Sequence, residues 1–177
     1  MSANRIVTKQ TEWLYEAAAE GATERVKKLL QEKDADVNFH QRAQDANSPL
    51  HEASFRKNPD IVRVLLRFKD QHMEEDMNEK SKDPQRKGGQ STWSMINAKN
   101  QFGNTPLHAA AMAGCAATVQ VLLDAGASVD ELNNNHSTPL IVAAKKNQVG
   151  ACSLLLNAGA DPAAKDDVRV LLCFPSR

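Results

Sequence analysis

Leucines and small apolar residues recur along this chain in blocks of similar layout. In each block a leucine is followed by small residues, and a Leu-Leu pair comes later at a fixed distance. The first leucine and the first member of the pair are 15 residues apart in all four blocks. This pattern predicts two short helices in each block, packed through their apolar faces. The leucines concerned are Leu14 and Leu29, Leu50 and Leu65, Leu107 and Leu122, and Leu140 and Leu155.

The starts and ends of the predicted helices are marked by capping and turn residues. Thr105 and Thr138, which lie 33 residues apart, each precede Pro-Leu, and Ser48 does the same in an earlier block. Thr and Ser cap helices, and proline is favourable in the first turn because its missing N–H costs nothing there. Gly21 and Gly114 follow the small residues, where a helix ends in the left-handed conformation.

These features together resemble the ankyrin-repeat family, which has Thr-Pro-Leu-His at the start of its first helix and Leu-Leu in its second. The resemblance covers roughly residues 10–165, apart from one insertion. It implies an all-α fold, an ankyrin-repeat solenoid of about four helix-turn-helix repeats with short β-hairpin fingers. We predict a single domain over residues 1–165, with repeats at about 10–43, 44–70, 97–129 and 130–162.

Some positions depart from the family pattern. Lys57 replaces the usual glycine of repeat two, which leaves a different inter-helix turn open. Asn147 stands there in repeat four, and asparagine tolerates the left-handed region better than most residues. His136 occupies the finger position that Gly103 has in repeat three. Glu12-Trp13 replaces Thr-Pro in repeat one, as expected for a more polar terminal repeat.

A long insertion interrupts the array. Pro49 and Pro106 are 57 residues apart, 24 more than one period, and alignment places the excess at residues 71–94. We predict that its first half extends the preceding helix, that Pro84 helps to end that helix, and that the second half is a mobile loop. Trp93 is a candidate insertion contact. Two interpretations stay open: a functional insertion, or a tolerated decoration with Trp93 folded onto the domain.

The C-terminal tail, residues 166–177, does not continue the repeat. Its segment 168–174 is apolar enough to cover the open face of repeat four, or alternatively to associate with another chain. Truncation of a longer protein is a further alternative. We expect a monomer unless this tail self-associates.

Composition narrows the classes of partner and the compartment. The chain has 22 Lys plus Arg and 22 Asp plus Glu, so it has no bulk attraction for nucleic acid or anionic membranes. No apolar run approaches the roughly 20 residues of a membrane span. Three distant cysteines, Cys115, Cys152 and Cys173, fit free thiols in a reducing compartment. We therefore predict a cytoplasmic or nuclear protein, or one present in both.

Residues with catalytic spacing are not found. The sequence contains no phosphate-binding glycine loop, nucleophile elbow or Cys-x-x-Cys motif. His51 and His108 belong to the Pro-Leu-His units, where we expect the imidazole to bond nearby backbone and tie the turn to the helix. We predict that the chain is not an enzyme and has no cofactor or metal site.

The resemblance implies a protein-binding groove formed by finger tips and first helices. We predict a protein–protein interaction module, an adaptor, scaffold or inhibitor; the alternative is a regulatory ankyrin fragment of a larger enzyme or channel. Aromatic residues, Met and Arg are enriched at interface centres, and two lysines add a basic edge that favours an acidic partner or is merely solvated. The candidate partner-binding residues are Phe55, Arg56, Phe102, Asn104, Met112, Asn134, Asn135, Lys145 and Lys146.

Asn38 is a candidate modification site. It follows Asp36-Val37 and lies eight residues after Leu30, similar to the pattern that asparaginyl hydroxylases accept in ankyrin hairpins. Asparagine at this position is also common for hairpin reasons alone, so both interpretations stay open.

Overall fold

The computed structural model describes residues 9–31, 46–78 and 95–165. These residues form eight helices in four consecutive pairs, and a tight turn joins the helices of each pair. The first helices of the pairs are α1 (Lys9–Glu20), α3 (Pro49–Phe55), α5 (Pro106–Ala113) and α7 (Pro139–Lys145). The second helices are α2 (Thr23–Gln31), α4 (Pro59–Asn78), α6 (Ala116–Asp124) and α8 (Val149–Asn157).

The pairs stack into two layers. The first helices pack side by side in the order α1, α3, α5, α7, and the second helices follow the same order in the other layer. Between the layers lies one continuous apolar core, because the leucines of the repeat face inward. Leu14, Leu50, Leu107 and Leu140 have no exposed surface at all. The predicted all-α ankyrin-type solenoid is confirmed.

The helix starts follow the capping chemistry expected from the sequence. The Thr105 hydroxyl oxygen accepts a hydrogen bond from the His108 backbone N–H at 3.4 Å, and Ser48 caps α3 in the same way. Thr138 accepts one from the Ile141 N–H at 3.3 Å. Each cap satisfies a backbone donor that the first turn of a helix leaves without an intrahelical partner.

The turns within the pairs share one left-handed conformation. Gly21 and Gly114 have φ of +79° and +75°. Lys57 and Asn147, which occupy the same position in repeats two and four, have φ of +62° and +56°. The different turn that remained open at Lys57 is therefore excluded. A Cβ on Gly114 would require the Gln148 side chain to move, and the positive φ is the main reason for glycine in repeat three.

The fingers are tight turns, and the described residues contain no β-strand. In repeat three the Asn100 N–H donates to the Asn104 carbonyl at 3.0 Å, and the Gly103 N–H donates to the Asn100 carbonyl at 2.9 Å. His136 takes the place of Gly103 in repeat four, where it adopts φ of +53°. In the described segments, no helix combines the length and the apolar character of a membrane span.

Helix α4 continues beyond the predicted end of repeat two and through residues 71–78. The rest of the insertion, with Trp93, lies outside the described residues, as do Asn38 and the tail 166–177. The described chain resumes at Met95 and Ile96, which are each 1% exposed and belong to the same core. The array therefore continues on the far side of the insertion without a break in the core.

Candidate partner-binding groove

Five of the predicted binding residues line one cavity of about 450 Å³ on the first-helix side of repeats two and three. We call this cavity the central groove. Helix α3, helix α5 and the finger of repeat three position its side chains, since α3 and α5 pack directly against each other. The predicted residues that line it are Phe55, Arg56, Phe102, Asn104 and Met112.

Two phenylalanines are exposed at this groove. Phe55 at the end of α3 is 47% exposed, and Phe102 at the finger tip is 51% exposed. Met112 is half-buried between the two repeats, one repeat further along from Phe55. None of the three belongs to the buried core, so the stability of the solenoid does not explain why large apolar side chains occupy these positions.

A buried carboxylate forms part of the groove wall. Glu52 is 7% exposed, and its Oε1 accepts a hydrogen bond from Arg56 Nε at 2.8 Å. Its Oε2 accepts one from the Tyr15 hydroxyl at 3.1 Å. The hydrogen bond and the charge of Glu52 raise the pKa of Arg56, because both stabilise the charged guanidinium. Glu52 thus holds Arg56 in place beside Phe55.

Tyr15 and Glu52 are lining residues that the sequence analysis missed. The spacing of Glu52 and Arg56, four residues apart on one helix, was a usable signal for their ion pair. No such signal exists for Tyr15, which reaches Glu52 from the preceding repeat, 37 residues away.

Asparagines connect the fingers along one edge of the groove. Asn100 Nδ2 donates to Asn47 Oδ1 at 2.8 Å, and Asn133 Nδ2 donates to Asn104 Oδ1 at the same distance. Asn100 also closes its own finger, because its Oδ1 accepts from the Phe102 and Asn104 backbone N–H groups, both at 3.0 Å. Asn104, a predicted binding residue, therefore takes part in a bond between repeats. Asn100 and Asn133 were missed, although their separation by one period was visible.

The tips of neighbouring fingers are also joined. The Asn134 backbone N–H donates to the Phe102 carbonyl at 3.0 Å, and Asn134 Nδ2 donates to the Gln101 carbonyl at 2.8 Å. A Cβ on Gly103 would lie 2.7 Å from the Asn134 nitrogen, so glycine permits this close approach. Asn134 acts here as a connector that fixes the position of Phe102, while Asn135 is exposed beside it.

Two histidines link each cap to the next repeat. His108 Nδ1 accepts from the Thr105 backbone N–H at 3.1 Å, which places the ring proton on Nε2 for donation to the Ser137 carbonyl at 3.0 Å. His51 makes the equivalent contact with the Asn104 carbonyl at 2.9 Å. Burial lowers the pKa of His108 to about 4, so the ring is neutral near pH 7. The expected bond from imidazole to backbone is confirmed, and it extends further than predicted, across the repeat boundary.

The two predicted lysines lie outside the central groove. Lys145 and Lys146 are exposed at the end of α7, one repeat beyond Met112. Lys145 Nζ is 3.5 Å from the Ser137 hydroxyl oxygen. The structure therefore places these charges at the repeat-four end of the first-helix surface.

The opposite face of the solenoid has a separate depression of about 420 Å³ between α4 and α6. Arg63, Arg67, Gln120 and Asp124 lie along it, together with apolar residues such as Leu66 and Val121. Across the described segments, no three His, Cys, Asp or Glu side chains cluster as metal ligands would. Burial raises the pKa of the Cys152 thiol, which makes that thiol less reactive.

Models of known protein families match two parts of the chain. A model described as "Ankyrin repeat" matches residues 45–78, and one described as "Ankyrin repeats (3 copies)" matches residues 85–166. The chain belongs to the ankyrin-repeat family. Ankyrin repeats generally bind other proteins and are generally non-catalytic.

Ankyrin-containing relatives come from several kinds of protein. The tyrosine-protein kinase Shark of Drosophila melanogaster is 30% identical over 153 residues, 86% of this chain and 14% of the kinase. The transient receptor potential cation channel subfamily A member 1 homolog of Caenorhabditis elegans is 36% identical over 78 residues, 44% of this chain and 6% of the channel. The ankyrin repeat domain-containing protein SAT10 of Stachybotrys chartarum is 29% identical over 177 residues, 96% of this chain and 9% of SAT10. This ankyrin-repeat chain thus spans only 6% to 14% of the length of these three relatives.

Proposed function

We propose that this chain is a non-catalytic interaction module that captures a partner protein in the central groove. The observation that carries the proposal is the pair of exposed phenylalanines, Phe55 and Phe102, which both line one cavity. Exposed aromatic side chains around a groove are the usual centres of protein interfaces, where their burial supplies most of the binding energy.

The surrounding bonds support this assignment because they reduce the cost of binding. Glu52 holds Arg56, and Asn134 holds the finger that presents Phe102. A surface that is already ordered loses little conformational entropy when a partner arrives. Within this proposal, Asn104 and Asn134 contribute mainly by fixing the groove, and the phenylalanines, Arg56 and Met112 make the contacts.

The test is partner capture by the wild-type chain beside an Arg56→Ala, Phe102→Ala double variant. Both side chains are exposed, but Arg56 also neutralises the buried Glu52, so circular dichroism and a denaturation curve check that the variant is still folded. The matched control is Arg63→Ala, Gln120→Ala on the opposite face. We expect the groove variant alone to lose its specific partners by at least tenfold, since truncation at an interface centre typically costs at least about 1 kcal/mol per residue. Recovery of the same partners in the same amounts by all three proteins would reject the groove.

A second candidate is a regulatory ankyrin segment of a larger protein. The observation in its favour is coverage: the matched relatives include a kinase and a channel, and the chain spans a small share of each. This candidate predicts that the gene's full transcript encodes further repeats or a catalytic or membrane domain beside residues 9–165. Sequencing the full-length transcript decides between the two.

A further inference from the structure

The central groove has an apolar patch within a polar lining, and it lies between helices whose exposed charges differ in sign. Phe55, Phe102 and Met112 provide its apolar surface. Arg56 lies beside them, but its charge is compensated by Glu52 at 2.8 Å. The middle of the first-helix surface therefore attracts a large apolar side chain and carries little net charge of its own.

The repeat-one end of this surface is acidic. Glu12, Glu16 and Glu20 are all exposed on α1, four residues apart, so they lie along one side of that helix. Glu20 is paired with Arg25 at 2.9 Å, so Glu12 and Glu16 account for the remaining negative charge of these three glutamates.

The repeat-four end is basic. Lys145 and Lys146 follow each other at the end of α7, and both are exposed. A bound segment would consequently meet negative charge on one side of its apolar contact and positive charge on the other.

We infer that the groove takes an extended peptide segment of a partner protein, anchored by one large apolar side chain, with an acidic residue toward repeat four. The apolar anchor lies against Phe55, Phe102 and Met112, and the acid lies beside the two lysines. The same acid on the opposite side of the anchor would meet the carboxylates of α1. This inference rests on the proposed function, and it adds the chemical class of the partner.

Helix packing sets the expected separation of anchor and acid. Neighbouring packed helices have axes roughly 8–10 Å apart, and the anchor site lies between α3 and α5, one to two helices from α7. An extended chain advances about 3.3 Å per residue. The acid should therefore lie about three to five residues from the anchor, on one side only.

The probe is a random 12-residue peptide library selected on the purified chain. A Phe55→Ala, Phe102→Ala variant serves as the counter-selection protein. We expect the peptides enriched on the wild type to share one large apolar residue with an Asp or Glu three to five positions away, always in the same direction. The strongest peptide is then titrated against each variant by fluorescence anisotropy.

The charge assignment is tested with a Lys145→Glu, Lys146→Glu variant, since both side chains are exposed and the fold should persist. We expect about tenfold weaker binding of the acidic peptide, a smaller loss at high salt, and about tenfold tighter binding of a peptide with Lys in place of the acid. A Lys27→Glu, Lys28→Glu variant is the matched control, because these lysines are exposed on α2 in the other layer. It should bind both peptides as the wild type does.

The outcomes separate the inference from the function on which it rests. Peptides that need Phe55 and Phe102 but show no one-sided acid, or bind the lysine-reversed variant unchanged, overturn the inference and leave the groove intact. Peptides that ignore both phenylalanines, or no enrichment over the counter-selection protein, overturn both. Self-association of the wild type that the double phenylalanine variant lacks would assign the groove to a second copy of the chain and also overturn the inference.

Discussion

Repeats two and three have the same scaffold and different groove surfaces. Helices α3 and α5 both begin with a hydroxyl cap, and His51 and His108 both reach a carbonyl of the following repeat. The helix positions outside the cap and the core leucines, which we call the outer positions, differ between the two repeats. Repeat three has small or neutral residues where repeat two has charged or aromatic ones. The aligned pairs are Glu52 and Ala109, Phe55 and Met112, Arg56 and Ala113, and Lys57 and Gly114.

This difference shows which positions the solenoid constrains. The cap and the leucines are shared because they satisfy backbone donors and fill the core between the layers. The outer positions are not needed for either purpose, so they are available for binding. Repeat two, next to the insertion, carries most of the chemistry that is particular to this chain.

The largest expected effect is a loss of stability at low pH, caused by His108 in the scaffold that the two repeats share. His108 has its pKa lowered to about 4, whereas an unfolded histidine titrates near 6.5. Between pH 6.5 and 4 the unfolded state therefore binds more protons than the folded state. The contribution of the neutral, buried His108 to stability is complete above about pH 6.5 and is lost as the pH falls toward 4. The shift corresponds to about 3 kcal/mol. We expect the free energy of unfolding, measured by urea denaturation, to fall by that order over this range.

A His108→Gln variant isolates this effect from the titration of carboxylates. It keeps a polar side chain but cannot titrate, so its free energy of unfolding should vary less between pH 6.5 and 4.5 than that of the wild type. Equal pH dependence in the two proteins would show that the buried histidine is not the cause.

The next effect tests the turns that distinguish the two repeats. Gly114→Ala should lower the free energy of unfolding by about 1–2 kcal/mol, because alanine is strained at positive φ and its Cβ would displace the Gln148 side chain. Lys57→Gly should do the opposite, because it relieves the same strain in repeat two. Its expected gain is smaller, about 0.5–1 kcal/mol, since glycine also adds entropy to the unfolded chain. Thermal or urea denaturation of both variants measures this. A loss of stability in Lys57→Gly would mean that the lysine side chain contributes contacts that outweigh its strained backbone.

The smallest effect concerns the groove wall. Tyr15→Phe removes the hydroxyl that donates to Glu52 at 3.1 Å and keeps the aromatic ring. We expect the free energy of unfolding to fall by about 1 kcal/mol, the usual net value of one hydrogen bond. Because Arg56 also depends on Glu52 for its position, binding of the selected peptide should weaken slightly as well. If stability is unchanged, Glu52 is held by Arg56 alone.

The fold could be predicted because its determinants are local and repeated. The spacing of Leu107 and Leu122, the cap at Thr105 and the turn at Gly114 are each readable within one repeat, and the structure realises all three. Lys57 adopts the same left-handed turn as the glycines of the other repeats, because the packing of the flanking helices imposes this turn on a residue that disfavours it.

The groove could be predicted only in part. Exposed positions such as Phe55 and Phe102 follow from their place in the repeat. The contacts of Tyr15 with Glu52 and of Asn47 with Asn100 join residues 37 and 53 positions apart. Such pairs depend on how neighbouring repeats stack and, for the second, on the length of the insertion. No pattern within a single repeat contains that information.

The insertion separates repeats two and three along the chain, but the bonds from Asn100 to Asn47 and from His51 to Asn104 still join them in space. Lengthening the covalent link between such repeats costs only about 0.6 kcal/mol of loop-closure entropy for each doubling of its length. Physically, the protein is two half-arrays held together by an interface of the same kind that joins two subunits. Phe55 belongs to one half and Phe102 to the other, and both line the groove, so a peptide bound in the proposed groove would contact the two halves at once.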